Sequence, residues 1–371
     1  MKAAKSYGKV AVVHDWLTGM RGGEKVLEAI LRIFPDADLF TLLYNKGTLT
    51  PLIEDRKIHV SFIDSLPLKA RRYRHYLPLF PAAIEQFDFH GYDLVVSSSH
   101  CVARGVIVPP GTPHVSFIHS PMRYVWDMYP EYFPRKGLMG RFVIPAFAHY
   151  LRMWDVSAAP RVDRYVCNSR FVAERVRRYY GREAGVVFPP SVPATTKVPA
   201  LSGRDDFYLI VSAFAPYKRV DLAIEAFKDF DRKLVIVGSG QDEKKLSRYN
   251  LPNVEFKGNL PLEEIHALYG SARGLLFPGK EDFGIVPVEA QARGCPVIAY
   301  GRGGALETVR PGKTGVFFSE QTVESLRAAV LEHEKIRYKR EDFQSNIRKF
   351  TDRAFHDGFR REIDAARKNA R

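Results

Sequence analysis

Cysteine is scarce in this chain of 371 residues: there are 3, Cys101, Cys167 and Cys295, far apart and with no CxxC spacing. That excludes a disulfide framework and a cysteine-built zinc site. No run of about 18 or more apolar residues occurs, so no segment reads as a membrane-spanning helix. The apolar stretch Val10–Val13 behind the basic N-terminus is too short for a signal-peptide core, and the expected location is cytoplasmic. The GxGxxG fingerprint is missing. Its nearest approach, Gly238-Ser239-Gly240, lacks the third glycine, which argues against an NAD-dependent oxidoreductase. There is no GxxxxGK[ST] loop, and no Asp-x-Asp follows an expected strand, so neither a Walker A site nor a metal is expected. Acidic residues are in deficit, 42 against 56 lysines and arginines, leaving a net charge of +14. Such an excess calls for an anionic partner: nucleic acid, an acidic membrane surface or a phosphorylated substrate.

The remaining composition, 46% hydrophobic and 26% charged, is that of a globular protein rather than a disordered, collagenous or coiled-coil one. Short apolar strands alternate with helical patterns. The strands are expected at 10–13, 94–97, 115–118, 164–167, 208–211, 233–237, 253–256, 274–277 and 296–299. Helices are expected at 23–33, 171–179, 219–227, 262–268 and 286–293. Fully apolar strands separated by helices indicate parallel sheets covered on both faces. The pattern runs twice, on either side of a Pro- and Thr-rich stretch from Pro189 to Pro199. The expected organisation is α/β: two doubly wound, Rossmann-like domains facing across a cleft. They would span 1–188 and 206–350, with a linker at 189–205 and a C-terminal helix over 351–371. In such sheets ligands bind beyond the carboxyl ends of the strands.

Four segments lie just there. Lys280 to Ala290 follows a strand and opens a helix; Gly284 permits close backbone approach, and the free N–H groups at the helix start attract phosphate. Glu281 and Glu289, one in the loop and one a turn inside the helix, suit paired hydroxyls of a sugar or ribose. Lys218 and Arg219 end the loop after 208–211, where a point charge could neutralise a diphosphate. Gly22 and Gly23 precede a helix and could seat an anion. His119 follows 115–118 directly, with Arg123 four residues on, whose fork fits a phosphate. Two weaker candidates are Asn259-Leu260 and Asn168-Ser169; for the latter a helix cap is the plainer role.

The spacing of Glu281, Phe283, Gly284, Pro287 and Glu289 resembles the signature of the retaining GT-B glycosyltransferases of family 4. By that resemblance Glu281 meets the donor sugar and Glu289 the nucleotide ribose. The backbone of Phe283, Gly284 and Ile285 would approach the sugar and phosphates. Lys218 and Arg219 would neutralise the diphosphate, Gly22 and Gly23 would lie against it, and Asn259 and Leu260 would meet the base. His119 would contact the transferred sugar, and Arg123 and Asn168 would face the acceptor. The His119-Ser120-Pro121-Met122-Arg123 run is similar to mannosyltransferases of O-antigen and exopolysaccharide assembly. Ala213 departs from the family, many of whose members carry an arginine there. The resemblance implies a metal-independent hexosyltransferase that takes a nucleotide-diphosphate sugar, foremost GDP-mannose, and a saccharide or polyprenyl-diphosphate-linked acceptor. It also implies a last helix that crosses back to the first domain. A GT-B epimerase or phosphorylase, or a non-catalytic sugar-nucleotide binder, is the alternative.

A basic and aromatic stretch from Lys69 to Phe80 contains Lys69, Arg71, Arg72 and Arg74 with Tyr73 and Tyr76. It is read as a contact for the anionic inner face of the plasma membrane, with the basic heads on lipid phosphates and the aromatics inserted; a solvated helix face is the alternative. Nucleic acid is not expected as a partner.

Overall fold

The computed structural model describes residues 7–133 and 137–369. Its contacts divide the chain into two compact units, Met1–Phe188 with Phe355–Arg371, and Pro189–Ala354. Each unit is wound on its own parallel sheet, the α/β class expected from the strand pattern.

The first sheet has seven strands: β1 (Val10–His14), β2 (Asp38–Thr41), β3 (Ile58–Val60), β4 (Leu94–Ser99), β5 (His114–Ile118), β6 (Arg164–Cys167) and β7 (Ala184–Val186). They lie in the order β3-β2-β1-β4-β5-β6-β7. Because successive side chains alternate between faces, Val10, Val12, Leu94 and Val96 pack on one side, and Ala11, Val13 and Val95 on the other. Helix α1 (Gly22–Ile33) covers the first side with Val26, Leu27, Ile30 and Ile33, which recur at helical spacing. The second side is covered by the turns around Tyr73 and Phe80 and by α2 (Ile144–Ser157). The buried carboxylate of Asp155 ties α2 down: it pairs with Arg104 and accepts from Trp126 Nε1 at 2.8 Å and the Tyr180 hydroxyl at 2.9 Å. Helix α3 (Arg170–Tyr180) is capped by Ser169, whose hydroxyl accepts from the Val172 N–H, and is stopped by Gly181 at φ 62°.

The second sheet has six strands: β8 (Phe207–Val211), β9 (Lys233–Val237), β10 (Val254–Gly258), β11 (Gly274–Phe277), β12 (Val297–Tyr300) and β13 (Gly315–Phe318), in the order β10-β9-β8-β11-β12-β13. Helices α4 (Val220–Phe227), α5 (Leu262–Ser271), α6 (Ile285–Ala292), α7 (Val323–Glu334) and α8 (Arg340–Ile347) alternate with or follow these strands. The last helix, α9 (Asp352–Asn369), begins in the second unit and places Phe355, Phe359 and Ile363 in the core of the first, against Phe117. Arg164 Nε donates to Glu362 Oε2 at 2.6 Å beside them. Ala370 and Arg371, the end of the helix expected from the sequence, lie outside the described residues.

Two expectations change. Strands β2, β3, β7 and β13 have no counterpart in the sequence reading. Each has three or four residues, too few to show a period, and three of them are sheet edges whose existence depends on a neighbour to pair with. The stretch 189–205 is no free linker. It belongs to the second unit, where Val198 is fully buried, its N–H donates to Gln344 Oε1 at 2.9 Å, and its carbonyl accepts from Arg340 Nε at 2.6 Å. The three cysteines are unpaired and buried, Cys295 just before β12.

Each unit contains a histidine whose burial holds its pKa at about 4: His114 on β5 and His333 in α7, against an ordinary value of 6.5. His114 is clamped between the Ser97 hydroxyl at 2.8 Å and the Arg161 carbonyl at 3.0 Å. The unfolded chain takes up these protons first, so the stabilisation is complete above pH 6.5 and is lost as pH falls towards 4. Thermal unfolding followed from pH 7 downwards is expected to show stability falling by about 1.4 kcal/mol per pH unit for each histidine. In His114→Gln that slope should shrink for the first unit; an unchanged slope would show that His114 is not held neutral.

Candidate functional site

In both sheets the strand order reverses next to the first strand of the unit: between β1 and β4, and between β8 and β11. Helices leave such a junction in opposite directions, and the carboxyl ends of the two strands open a crevice there. Four of the candidate residues lie at these two points: Gly23 and His119 at the first, Lys218 and Glu281 at the second.

In the first unit, β1 ends at His14 and Asp15 follows it. Asp15 is fully buried, and its carboxylate accepts from four successive backbone N–H groups: His100 at 2.6 Å, Cys101 at 3.0 Å, Val102 at 2.7 Å and Ala103 at 2.7 Å. It also meets His100 Nδ1 at 3.1 Å. This single side chain pins the end of β1 to the loop after β4. The Ser98 hydroxyl on β4 then links two rings, His14 Nδ1 at 3.1 Å and His119 Nε2 at 2.8 Å. His14 Nε2 points to Glu24 Oε1, 3.9 Å away on the first turn of α1. Burial alone would raise the Glu24 carboxyl, but the interaction with the neighbouring His14 ring outweighs it and holds Glu24 below its ordinary value. Gly23 lies over the same rings: a Cβ there would stand 3.7 Å from His14 Cε1 and 4.0 Å from His119 Nε2. Burial, helped by the neighbouring His100 and His14, pushes His119 well below its ordinary pKa, so the ring is neutral. Desolvation likewise lowers His100, against the opposing charge of Asp15, and the charge of Arg123 adds a smaller lowering.

The proton order follows from this chain of contacts. Where the His14 proton sits on Nε2, facing the Glu24 carboxylate 3.9 Å away, the order is set. Nδ1 then accepts from the Ser98 hydroxyl, whose oxygen accepts from His119 Nε2–H. His119 is left with its Nδ1 unprotonated. Its backbone is held as well: its N–H donates to the Ser99 carbonyl at 2.8 Å, and its carbonyl accepts from Asn168 Nδ2 at 2.9 Å. Asn168 is therefore not available as an acceptor contact. It is buried, with its amide nitrogen on His119 and its oxygen taken by the Ser169 hydroxyl at 3.2 Å.

In the second unit, Lys218 ends the short turn after β8 and Glu281 sits in the loop after β11. The reversal of strand order makes these loops neighbours, and Lys218 Nζ meets Glu281 Oε1 at 2.5 Å. Both side chains are mostly buried yet keep some access to solvent. Arg219 has a left-handed backbone (φ 54°) and turns to Asp221 at 3.4 Å, on the first turn of α4. Gly284, at φ 95°, caps α6, which begins at Ile285 and carries Glu289 one turn in. The Phe283 ring is not offered to a ligand. It is buried edge-on to Phe350, so only its backbone can face the site. Asn259 Nδ2 donates to the Ser239 hydroxyl at 2.8 Å, joining the loops after β10 and β9, while Leu260 leans on the core.

Several participants escaped the sequence reading: His14, Asp15, Ser98, His100, Ser239 and the pair Gly303-Gly304. The last had a visible signal, a glycine doublet after a strand like Gly22-Gly23. Gly304 N–H donates to the Glu281 carbonyl at 2.8 Å, and a Cβ on Gly304 would fall 2.3 Å from Phe283 Cα. Only glycine lets the loop after β12 lie against the backbone that presents Glu281. Among the described residues, no group of three or more His, Cys, Asp or Glu side chains is arranged to hold a metal ion.

Two family models match in succession: Glycosyltransferase Family 4 over residues 20–195 and Glycosyl transferases group 1 over residues 192–350. The chain belongs to the GT-B glycosyltransferases. A GDP-mannose-dependent alpha-mannosyltransferase of Mycolicibacterium smegmatis is 38% identical over 125 residues, 33% of each chain. An uncharacterized glycosyltransferase of Methanocaldococcus jannaschii is 29% identical over 180 residues, 47% of this chain and 50% of that one. The matches thus span half or less of these curated relatives. Among solved structures, Anabaena HepE in complex with UDP superposes with a TM-score of 0.69 at 17% identity, covering 96% of this chain and all of that one. The lipopolysaccharide outer core galactosyltransferase WaaB gives 0.67 at 17%, covering 96% and 99%. At these identities the likeness is one of fold.

Two substitutions probe the geometry. Ser98→Ala removes the hydroxyl between the two rings, so the ¹⁵N spectrum of His119 should change from one Nε2–H tautomer to a mixture; an unchanged spectrum would show that Ser98 does not set it. Gly304→Ala should push the 281–284 loop aside and cost about 1–3 kcal/mol in chemical denaturation, against no measurable loss if the loop yields freely.

Proposed function

We propose that the chain is a retaining hexosyltransferase that moves mannose from GDP-mannose to a saccharide or lipid-linked saccharide acceptor in the assembly of bacterial cell-surface polysaccharide. The observation that carries this reading is the Lys218–Glu281 pair at the reversal point of the second sheet, beside the N-terminus of α6. A nucleotide-sugar has one group for each partner. Lys218 takes the diphosphate, together with the first N–H groups of α6, and Glu281 takes sugar hydroxyls. Glu289 is assigned to the ribose and the Asn259 loop to the base. Mannose and GDP are favoured by the mannosyltransferases among the relatives, including the GDP-mannose-dependent enzyme of M. smegmatis.

In the proposed reaction the bond between the sugar C1 and the phosphate oxygen breaks, and the acceptor oxygen bonds to C1 on the same face. The acceptor's proton passes to the departing phosphate oxygen. The chain contributes position and charge: Lys218 and the α6 dipole stabilise the diphosphate as it leaves, without need of a metal. His119, neutral and fixed by Ser98 and Asn168, offers the sugar an uncharged hydrogen-bonding edge. Arg123 is assigned to an acceptor phosphate.

Slow nucleotide release is the direct test, because it needs no acceptor. GDP-mannose, UDP-glucose, UDP-galactose and UDP-N-acetylglucosamine are compared. Release from GDP-mannose alone, abolished in Glu281→Ala and lowered about 10²- to 10³-fold in Lys218→Ala, is the expected result. Release from a UDP-sugar instead would overturn the donor assignment. Turnover unchanged in Glu281→Ala would overturn the role of that residue.

A further inference from the structure

The basic stretch from Lys69 to Phe80 supplies only half of a membrane contact. Arg71, Arg72 and Arg74 are exposed, but Tyr73 and Phe80 are buried in the core of the first unit, and Lys69 is spent on Asp64 at 2.5 Å. Tyr73 and Phe80 are therefore not available to insert into lipid, and Tyr76 is partly buried with its hydroxyl donating to the Pro67 carbonyl at 2.6 Å. Leu68 and Leu79 are exposed beside the arginines, but the larger exposed apolar surface lies elsewhere. Of the large hydrophobic side chains exposed among the described residues, eight fall in one stretch, the turn before α2 and α2 itself: Leu138, Met139, Phe142, Val143, Phe147, Tyr150, Met153 and Val156. Leu138 is 77% exposed, Met139 64%, Phe142 60% and Met153 55%, so they are not the rim of a buried core. The opposite side of α2 is already satisfied, with Ala148, Leu151 and Trp154 buried and Asp155 holding Arg104. A contiguous exposed face of this kind on a helix marks an interaction surface.

We infer that the outer face of 138–156 docks the first unit on an anionic lipid bilayer, with Phe142, Phe147 and Met153 entering the acyl boundary. Charge selects this occupant. The only acidic residue in the stretch, Asp155, is fully buried and paired, whereas Arg141 is exposed and Arg152 partly so. The surface is therefore apolar and cationic with no exposed carboxylate. A two-fold pairing of two such faces would bring Arg141 and Arg152 of both copies into one interface with no exposed carboxylate in the stretch to neutralise them. A bilayer containing anionic lipid answers both features, burying the apolar side chains and attracting the arginines. The exposed Arg71, Arg72 and Arg74 belong to a segment packed, like α2, on the same side of the first sheet, and the whole chain carries +14. The inference does not rest on the sugar-transfer reading.

The test is flotation of the full chain with vesicles of phosphatidylcholine alone and of phosphatidylcholine mixed with phosphatidylglycerol, at low and high salt. Alongside it, the chain's mass in solution is measured by sedimentation. Wild type is expected to float with the mixed vesicles, less at high salt, and to be monomeric. The triple substitution Phe142→Gln, Phe147→Gln, Met153→Gln, all at exposed positions, should lower vesicle binding at least about tenfold while leaving circular dichroism and thermal unfolding unchanged. Arg71→Ser, Arg72→Ser, Arg74→Ser should weaken binding less and remove part of its salt dependence. Three results would overturn the inference: no binding by wild type, equal binding by the glutamine variant, or a dimer that the glutamine variant dissociates without any vesicle binding.

Discussion

Parallel pairing obliges every strand of a sheet to finish on the same edge. In this chain that constraint decides where chemistry can occur. Each unit starts a sheet in its middle, builds outward one way, then returns and builds outward the other way. The two central strands, β1 with β4 and β8 with β11, end side by side with their following loops diverging. His14, Ser98 and Glu24 meet at one such point; Lys218 and Glu281 meet at the other. Residues 63 positions apart in the sequence become an ion pair because the strands before them are hydrogen-bonded neighbours.

Around each point, buried polar groups are used to fix a few side chains firmly. Asp15 shows the cost and its compensation. A carboxylate with no solvent contact would be strongly unfavourable, and four convergent backbone N–H groups answer it. The result is a rigid seat for the Ser98–His119 contact. In the second unit the fixing is done by glycine. Gly284 and Gly303 hold left-handed backbone, and Gly304 leaves room for the neighbouring loop, so the segment presenting Glu281 is braced from one side by α6 and from the other by the turn after β12.

The amphipathic character of the chain divides unevenly between its two halves. Burial in the second unit is complete enough that few large apolar side chains remain outside. In the first, α2 has an apolar stripe on both sides, one satisfied by the sheet and one left exposed. Since both stripes are apolar, composition alone makes α2 look like a deeply buried helix. Its position on the outer layer of the unit is what exposes half of it.

Much of this was legible in the residues alone. Apolar runs without alternation told of parallel sheets, since only strands covered on both faces need them. The fixed offsets from Glu281 to Glu289 marked the loop and helix start, because a left-handed glycine and a following helix leave a local signature. Ser169 as a cap was legible for the same reason. The rest depended on contacts between residues distant in sequence. The short edge strands exist only through pairing, 189–205 is ordered only through its packing on α8, and Asn168 was closed to ligands only by the approach of His119. The Glu24–His14–Ser98–His119 chain joins four segments, and no local pattern anticipates it. Sequence by itself determined the class of sheet and the loops that could bear charge, because these follow from local periodicity and chain stiffness. Tertiary structure alone decided which charges meet, which aromatics are spent in the core and which apolar face is left to solvent, because those are set by long-range strand order and layer position.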